Sequence, residues 1–149
     1  MARVLVQREV FDLGAESALL SDGRTDVGGI ASFVGICRAD DGLAAMTLEH
    51  YPGMTERALA AIAAQAEARW PLTGCTVIHR HGRMLPGDPI VLVLTASRHR
   101  IAALESCAFL IDWLKTKAPF WKSEEFADGT TRWVEAKAED DAAALRWCP

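Results

Sequence analysis

Residues 90–116, IVLVLTASRHRIAALESCAFLIDWLKT, decide the fold. Ile90 to Ser97 is an almost continuous apolar run, with the length and composition of a buried strand. Beyond Arg98-His99-Arg100 the period changes. Ile101, Leu104, Ala108, Ile111 and Leu114 recur three and four residues apart, which predicts a helix over about Ile101–Thr116 with those residues on its apolar side. One strand, a basic junction and one long helix are thus legible in a single stretch.

Working outward, Gly74 to His81 reads as a strand joined to Ile90–Ser97 across the turn Pro86-Gly87-Asp88. Thr55 to Trp70 reads as the other long helix, with Leu59, Ile62, Ala63, Ala66 and Trp70 along one face and Pro71 as its stop. At the front, the alternation of Val4, Val6 and Arg8 with Leu5 and Gln7 is a strand. Asp12 is placed to cap a short helix from Leu13 to about Leu20. Ile30 to Arg38 and Met46 to Tyr51 are read as strands joined through Ala39-Asp40-Asp41-Gly42 as a hairpin. Phe120 to Phe126 and Thr131 to Glu135 flank Ala127-Asp128-Gly129, whose Asp-Gly step signals another hairpin. An alanine-rich, charged tail from Ala136 to Trp147 reads as a helix. The sum is one domain over residues 1–149, of α+β class, with a mainly antiparallel sheet, two long helices and a C-terminal hairpin plus tail helix.

Half of the 149 residues are apolar and 24% are charged, which excludes a disordered or fibrous chain. No apolar run approaches the roughly 20 residues of a membrane helix, and Met1 to Val10 has no signal-peptide core. The expectation is a cytoplasmic protein that does not bind membranes. The four cysteines, Cys37, Cys75, Cys107 and Cys148, stand far apart, and three are expected to serve as small core residues. Cys37 beside Arg38 has a second reading as a sulfur carrier, since a neighbouring cation stabilises thiolate. A net charge of −4 argues against nucleic acid as a partner. Yet the stretch from His79 to Lys122 holds seven basic residues against three acidic ones, together with three of the four histidines. Either an anionic ligand sits there or the stretch is a solvated basic surface.

Lys115 continues the series Ile101, Leu104, Ala108 and Ile111, a cation where the pattern calls for an apolar residue. It has two readings: a last-turn lysine that complements the helix dipole and snorkels to water, or an amine held at the mouth of a pocket as base or nucleophile. Lys122 and Glu124 share one face if Phe120–Phe126 is a strand. They form either a surface ion pair contributing about 0–1 kcal/mol or a carboxylate-oriented amine. Arg98-His99-Arg100 precedes a helix N-terminus, where backbone N–H groups favour anions and guanidinium groups grip phosphate. Arg38 closes the strand that contains Gly35, a residue that permits close backbone approach. His79 and His81 could face the same way, but no third ligand of convincing spacing accompanies them, so no metal is expected. Neither a G-x-S-x-G nor a phosphate-binding glycine loop occurs.

Six blocks together resemble the MoaE family, the large subunit of molybdopterin synthase. They are Phe33-Val34-Gly35-Ile36-Cys37-Arg38, Leu48-Glu49-His50-Tyr51-Pro52-Gly53-Met54, His79-Arg80-His81-Gly82, Ser97-Arg98-His99-Arg100, Leu114-Lys115 and Pro119-Phe120-Trp121-Lys122-Ser123-Glu124, in the family's order. The resemblance implies a MoaE-like α/β hammerhead fold and a sulfurtransferase. Two sulfurs would pass from a small ubiquitin-like partner, carrying a C-terminal Gly-Gly thiocarboxylate, to cyclic pyranopterin monophosphate, giving the dithiolene of molybdopterin. It implies Lys115 and Lys122 as catalytic residues, Arg38 near the substrate phosphate, and His99 and Arg100 against the substrate. The runs Ile36-Cys37-Arg38 and Lys122-Ser123-Glu124 would bind substrate too. It implies a homodimer of this subunit within a heterotetramer, and no cofactor. The chain departs from the family at Ile36-Cys37, often threonine-valine, and at Ser123, frequently a lysine.

Overall fold

The apolar run at residues 90–97 lies inside a sheet covered on both faces, which is why it is apolar at nearly every position. The computed structural model describes residues 2–134 and 138–148. In chain order its elements are β1 (Arg3–Gln7), α1 (Leu13–Ser21), β2 (Gly29–Ile36), β3 (Leu43–His50), α2 (Met54–Arg69), β4 (Leu72–Arg80), β5 (Gly82–Met84), β6 (Pro89–Ser97), α3 (Arg100–Lys117), β7 (Phe120–Phe126), β8 (Thr131–Val134) and α4 (Ala138–Leu145). The final residue expected in β8, Glu135, and the expected start of the tail helix, Ala136, lie outside the described residues.

The strands form two four-stranded sheets, ordered β1-β4-β6-β2 and β5-β3-β7-β8. Among the described residues only β1 and β4 pair in parallel, and the other pairs are antiparallel. Alternation along β4 and β6 divides the first sheet into two apolar faces. Cys75, Val77, Val91 and Val93 meet Leu59, Ile62 and Ala63 of α2 and Ala103, Cys107, Leu110 and Leu114 of α3. Ile78, Leu92, Leu94 and Ala96 face the other way, towards Leu20 of α1. As expected, Asp12 caps α1 by accepting from the Ala15 N–H at 2.9 Å. The α2 N-terminus is closed by Glu56, which accepts from the Gly53 N–H at 3.0 Å. Inside, the Thr95 hydroxyl donates to the Ala103 carbonyl at 2.6 Å, stitching β6 to the first turn of α3.

Two expectations fail. The segments read as a hairpin, Ile30–Arg38 and Met46–Tyr51, belong to different sheets: β2 runs along β6, whereas β3 pairs with β5 and β7. The reason lies at the end of β2, where the Cys37 N–H donates to the Asp88 carbonyl and the Gly87 N–H donates to the Cys37 carbonyl. Those bonds tie β2 to the turn before β6, and the acidic loop carries the chain across to the second sheet. The apolar face of α3 is only partly the one expected: Leu114 is buried and Ile111 packs half-buried against the core, but the start of the stripe is outside. Ile101 and Leu104 are 61% and 60% exposed, and the buried line is Ala103, Cys107, Leu110 and Leu114. Phe109 and Leu110, both fully buried, lie on the inward side with Ala103 and Cys107, so the helix over β2 and β6 is turned such that the first residues of the expected stripe stay outside.

The two sheets meet where β4 ends. After Arg80 the chain leaves the first sheet and enters β5 at Gly82, whose φ of +96° strains any other residue. Beneath the second sheet lies a small core of Cys37, Leu43, Met46, Leu48 and Met84, flanked by Ile90 and Phe126.

Candidate active site

Lys122 projects into the apolar side of the second sheet. It stands opposite Leu48 on β3 and Val134 on β8, so by the alternation of the strand it shares a face with Met46, Leu48, Phe120 and Glu124. The buried Cys37 thiol completes this environment. Burial pushes its pKa up, nearby Asp88 and Glu124 push the same way, and Lys122 pulls against them. This environment disfavours the thiolate that a sulfur carrier uses. Three buried cysteines, Cys37, Cys75 and Cys107, match the expectation of core residues, and Cys148 is exposed. Glu124 shares the Lys122 face, as expected, and is fixed by Arg132 of β8, whose Nε donates to Oε1 at 3.1 Å. Ser123 points to the opposite face, paired with Thr47 and Trp133. Ile36 is exposed, and exposed Arg38 forms an ion pair with Asp40 at 3.1 Å.

Lys115 occupies the last turn of α3, exposed, one residue after buried Leu114. His79 at the end of β4 lies within its electrostatic range. His79 stacks on Phe120, with ring centroids 3.9 Å apart and planes 18° from parallel. Phe120 precedes Lys122 by two positions on the same face, roughly 7 Å along the strand. His50 lies across from Phe120 on β3 and tilts against it, and His81 stands 4.4 Å from His50. Thr55 donates its hydroxyl hydrogen to the Tyr51 carbonyl, so the 3.0 Å contact between Thr55 and His50 requires His50 Nδ1 to be the donor. A cleft of about 480 Å³ opens beside this group, lined by Arg8, Glu49, His50, His81, Arg83 and Trp121. Among the described residues no three His, Cys, Asp or Glu side chains converge as a metal site.

His99 and Arg100 are elsewhere. They begin α3, both exposed, while Lys115 ends it. Fifteen residues of helix separate Arg100 from Lys115 by about 22 Å of axis. The backbone at this junction is tightly held. The Gly28 N–H donates to the Ser97 carbonyl, and a Cβ on Gly28 would stand 1.9 Å from the Arg98 carbonyl oxygen. The structure thus brings together Cys37, Lys122 and Glu124, sets Lys115 nearby through His79 and Phe120, and leaves His99 and Arg100 at the opposite end of the domain. Reading the sequence missed His50, Phe120, Asp88 and Arg132 as neighbours of the site. His79 and His81 were singled out there, but for metal, and their i, i+2 spacing is the one signal that pointed here.

The model of the family described as MoaE protein matches residues 6–117. A molybdopterin synthase catalytic subunit from Mesorhizobium japonicum is 56% identical over 146 residues, covering 97% of this chain and 92% of its relative. The solved structure of a molybdopterin biosynthesis MoaE protein from Burkholderia ambifaria superposes with a TM-score of 0.84 at 52% identity, covering 99% of this chain and 98% of the other. A complex of subunits 1 and 2 of molybdopterin-converting factor from Helicobacter pylori contains a chain of the same fold, with a TM-score of 0.71 at 22% identity over 91% of this chain and 90% of that one. No helix among the described residues is long and apolar enough to cross a membrane. With its fold and nearly all of its length matched, the chain belongs to the MoaE family.

Proposed function

We propose that this protein is the catalytic subunit of a molybdopterin synthase. It transfers two sulfurs from a small ubiquitin-like partner, thiocarboxylated at a C-terminal Gly-Gly, to cyclic pyranopterin monophosphate, forming the dithiolene. The observation that carries the reading is Lys122 set over an apolar bed with Cys37 and Glu124, next to the Phe120–His79 stack that adjoins Lys115. Sulfur addition and opening of a cyclic phosphate both need protons delivered and removed, and a positioned amine typically contributes a rate factor of about 10²–10⁴ to such steps. Lys115 acts at the reacting centre and Lys122 stabilises the charge that develops there. Ile36, Cys37, Arg38 and Glu124 form the near wall, with Arg38 released from Asp40 to meet phosphate, while Ser123, turned to the other face of β7, would reach substrate only from that side.

His99 and Arg100 belong to a site supplied by a second copy. Leaving a rigid helix about 22 Å from Lys115, they do not grip the same phosphate as the lysine of their own chain. Phe33 and Ile36 on edge strand β2, with Ile101 and Leu104 on α3, expose an apolar surface suited to a homodimer contact. The assembly is then a homodimer bearing two small partners, a heterotetramer. The test is to mix the protein with thiocarboxylated partner and cyclic pyranopterin monophosphate and look for dithiolene product by mass spectrometry. Absence of product, with substrate still bound, points to a phosphate-binding module and sinks the catalytic assignment.

A further inference from the structure

His79 is fixed more thoroughly than a residue at the end of a strand needs to be. It lies on the same face of β4 as Cys75 and Val77, the sheet face that α2 and α3 together cover, and its neighbours in the sheet are Val6 of β1 and Val91 of β6. Its Nδ1 stands 2.9 Å from the Arg80 carbonyl, and a carbonyl only accepts, so Nδ1 carries the hydrogen and Nε2 carries a lone pair. The ring is clamped face to face on Phe120. The charged or titratable groups around it are Lys115 from α3, His50 from β3 and His81 from the crossing to β5. Burial, the largest influence, lowers its pKa to about 4, with those three neighbours pushing the same way, so the lone pair persists through the neutral range. A neutral imidazole with a committed Nδ1 has one remaining function at Nε2, which is to accept a hydrogen bond.

We propose that His79 is a positioning residue for Lys115: its Nε2 lone pair accepts from the lysine amine, directly or through one water, while its ring on Phe120 couples that amine to the strand carrying Lys122. The inference rests on the catalytic reading of Lys115 given above. It would join the two lysines, since the stack ties β4, whose end feels the charge of Lys115, to the strand that carries Lys122.

Two substitutions separate the ring from its lone pair. His79→Phe keeps a stacking ring and removes the acceptor. His79→Gln keeps an acceptor at the reach of Nε2 and removes the stack. The expected result is a fall in kcat of up to about 10²-fold in His79→Phe, the scale of a misplaced reacting group. KM for the pterin substrate and affinity for the small partner stay near wild type, and His79→Gln recovers most of the rate. A wild-type kcat in His79→Phe overturns the proposal, as does an equal loss in both variants at unchanged thermal stability. A second measurement is independent of turnover. In long-range ¹⁵N spectra of the ¹⁵N-histidine-labelled protein, the His79 Nε2 signal should move towards that of a free lone pair when Lys115→Met removes the donor. An unmoved signal overturns the proposal even if the enzyme is active; a wild-type protein that forms no dithiolene overturns the functional reading while the ¹⁵N shift still decides His79.

Discussion

The two ends of α3 hold basic residues in opposite ways. At its start, Arg98, His99 and Arg100 are exposed side chains on a fixed backbone, held by Ser97, Gly28 and the Thr95–Ala103 bond. At its finish the surroundings are held: Lys115 is exposed but within electrostatic range of a histidine that is stacked and hydrogen-bonded, and Lys122 stands on a buried apolar bed. The first arrangement suits capture of an anion arriving from outside, where long flexible cations adapt to the ligand. The second suits proton transfer, in which a small displacement of the reacting group is costly. On the function proposed above, binding falls to one end and chemistry to the other, and two copies of the chain would be needed to bring the ends together.

The sharpest way to break this comparison is Lys115→Ala, which should lower dithiolene formation by about 10²–10⁴-fold with the fold and partner binding intact. Unchanged turnover would falsify the assignment of chemistry to that end. Arg100→Ala should instead weaken substrate binding by roughly tenfold or more, as expected for loss of a charge-assisted bond to phosphate. Combining the two variants tests their separation. In a mixed dimer of Lys115→Ala and Arg100→Ala chains, purified through two different tags, a site shared between copies leaves one intact centre and restores activity. A site built within each chain leaves none. Recovery no greater than that of the parent variants rules out the shared site.

Acid should act on the chemical end before the binding end. Unfolded His79 takes up a proton near 6.5 and folded His79 only near 4, so its contribution to stability is intact above about 6.5. That contribution is lost progressively as pH falls towards 4, by at most about 3 kcal/mol. His81, also lowered by burial, adds in the same direction. Urea titrations at several pH values should show this slope in the wild type and a shallower one in His79→Gln. The smallest effect belongs to the other end. Thr95→Val removes the hydroxyl bond to Ala103 and should cost about 1 kcal/mol, measurable as a lower urea midpoint, with Lys115 chemistry retained.

Most elements were legible because their signals are local. Asp12 as a cap, Pro71 as a stop, and the Asp128-Gly129 turn between β7 and β8 each act over a few residues. Partitioning into two sheets was not legible, because it depends on hydrogen bonds between Cys37 and the residues at 87 and 88, some fifty positions away. The two lysines exchanged their local arguments. Lys115 stands out in sequence for continuing an apolar stripe, yet Ile101 and Leu104 at the start of that stripe are exposed, Ile111 is half-buried, and Leu114 is its one fully inward member. Lys122 was unremarkable in sequence and proves to be the amine over an apolar floor, because Leu48 and Val134 flank it only once three strands align. Helical periodicity identifies a face but does not say which of two apolar faces meets the sheet.

Gly28 shows how a residue without a side chain can belong to an anion-capturing rim. Any carbon added there displaces the Arg98 carbonyl and, with it, the direction in which His99 and Arg100 leave the backbone. In a saturation library scored on turnover, position 28 should be as intolerant as Arg100, and its variants should fail at substrate capture while remaining folded. Gly14 is the natural contrast, since a Cβ there meets only the Asp12 carboxylate at 3.4 Å, and Gly14→Ala should pass the same selection unnoticed. Mutational sensitivity along this chain would then trace a boundary of the binding surface that no map of side-chain chemistry contains.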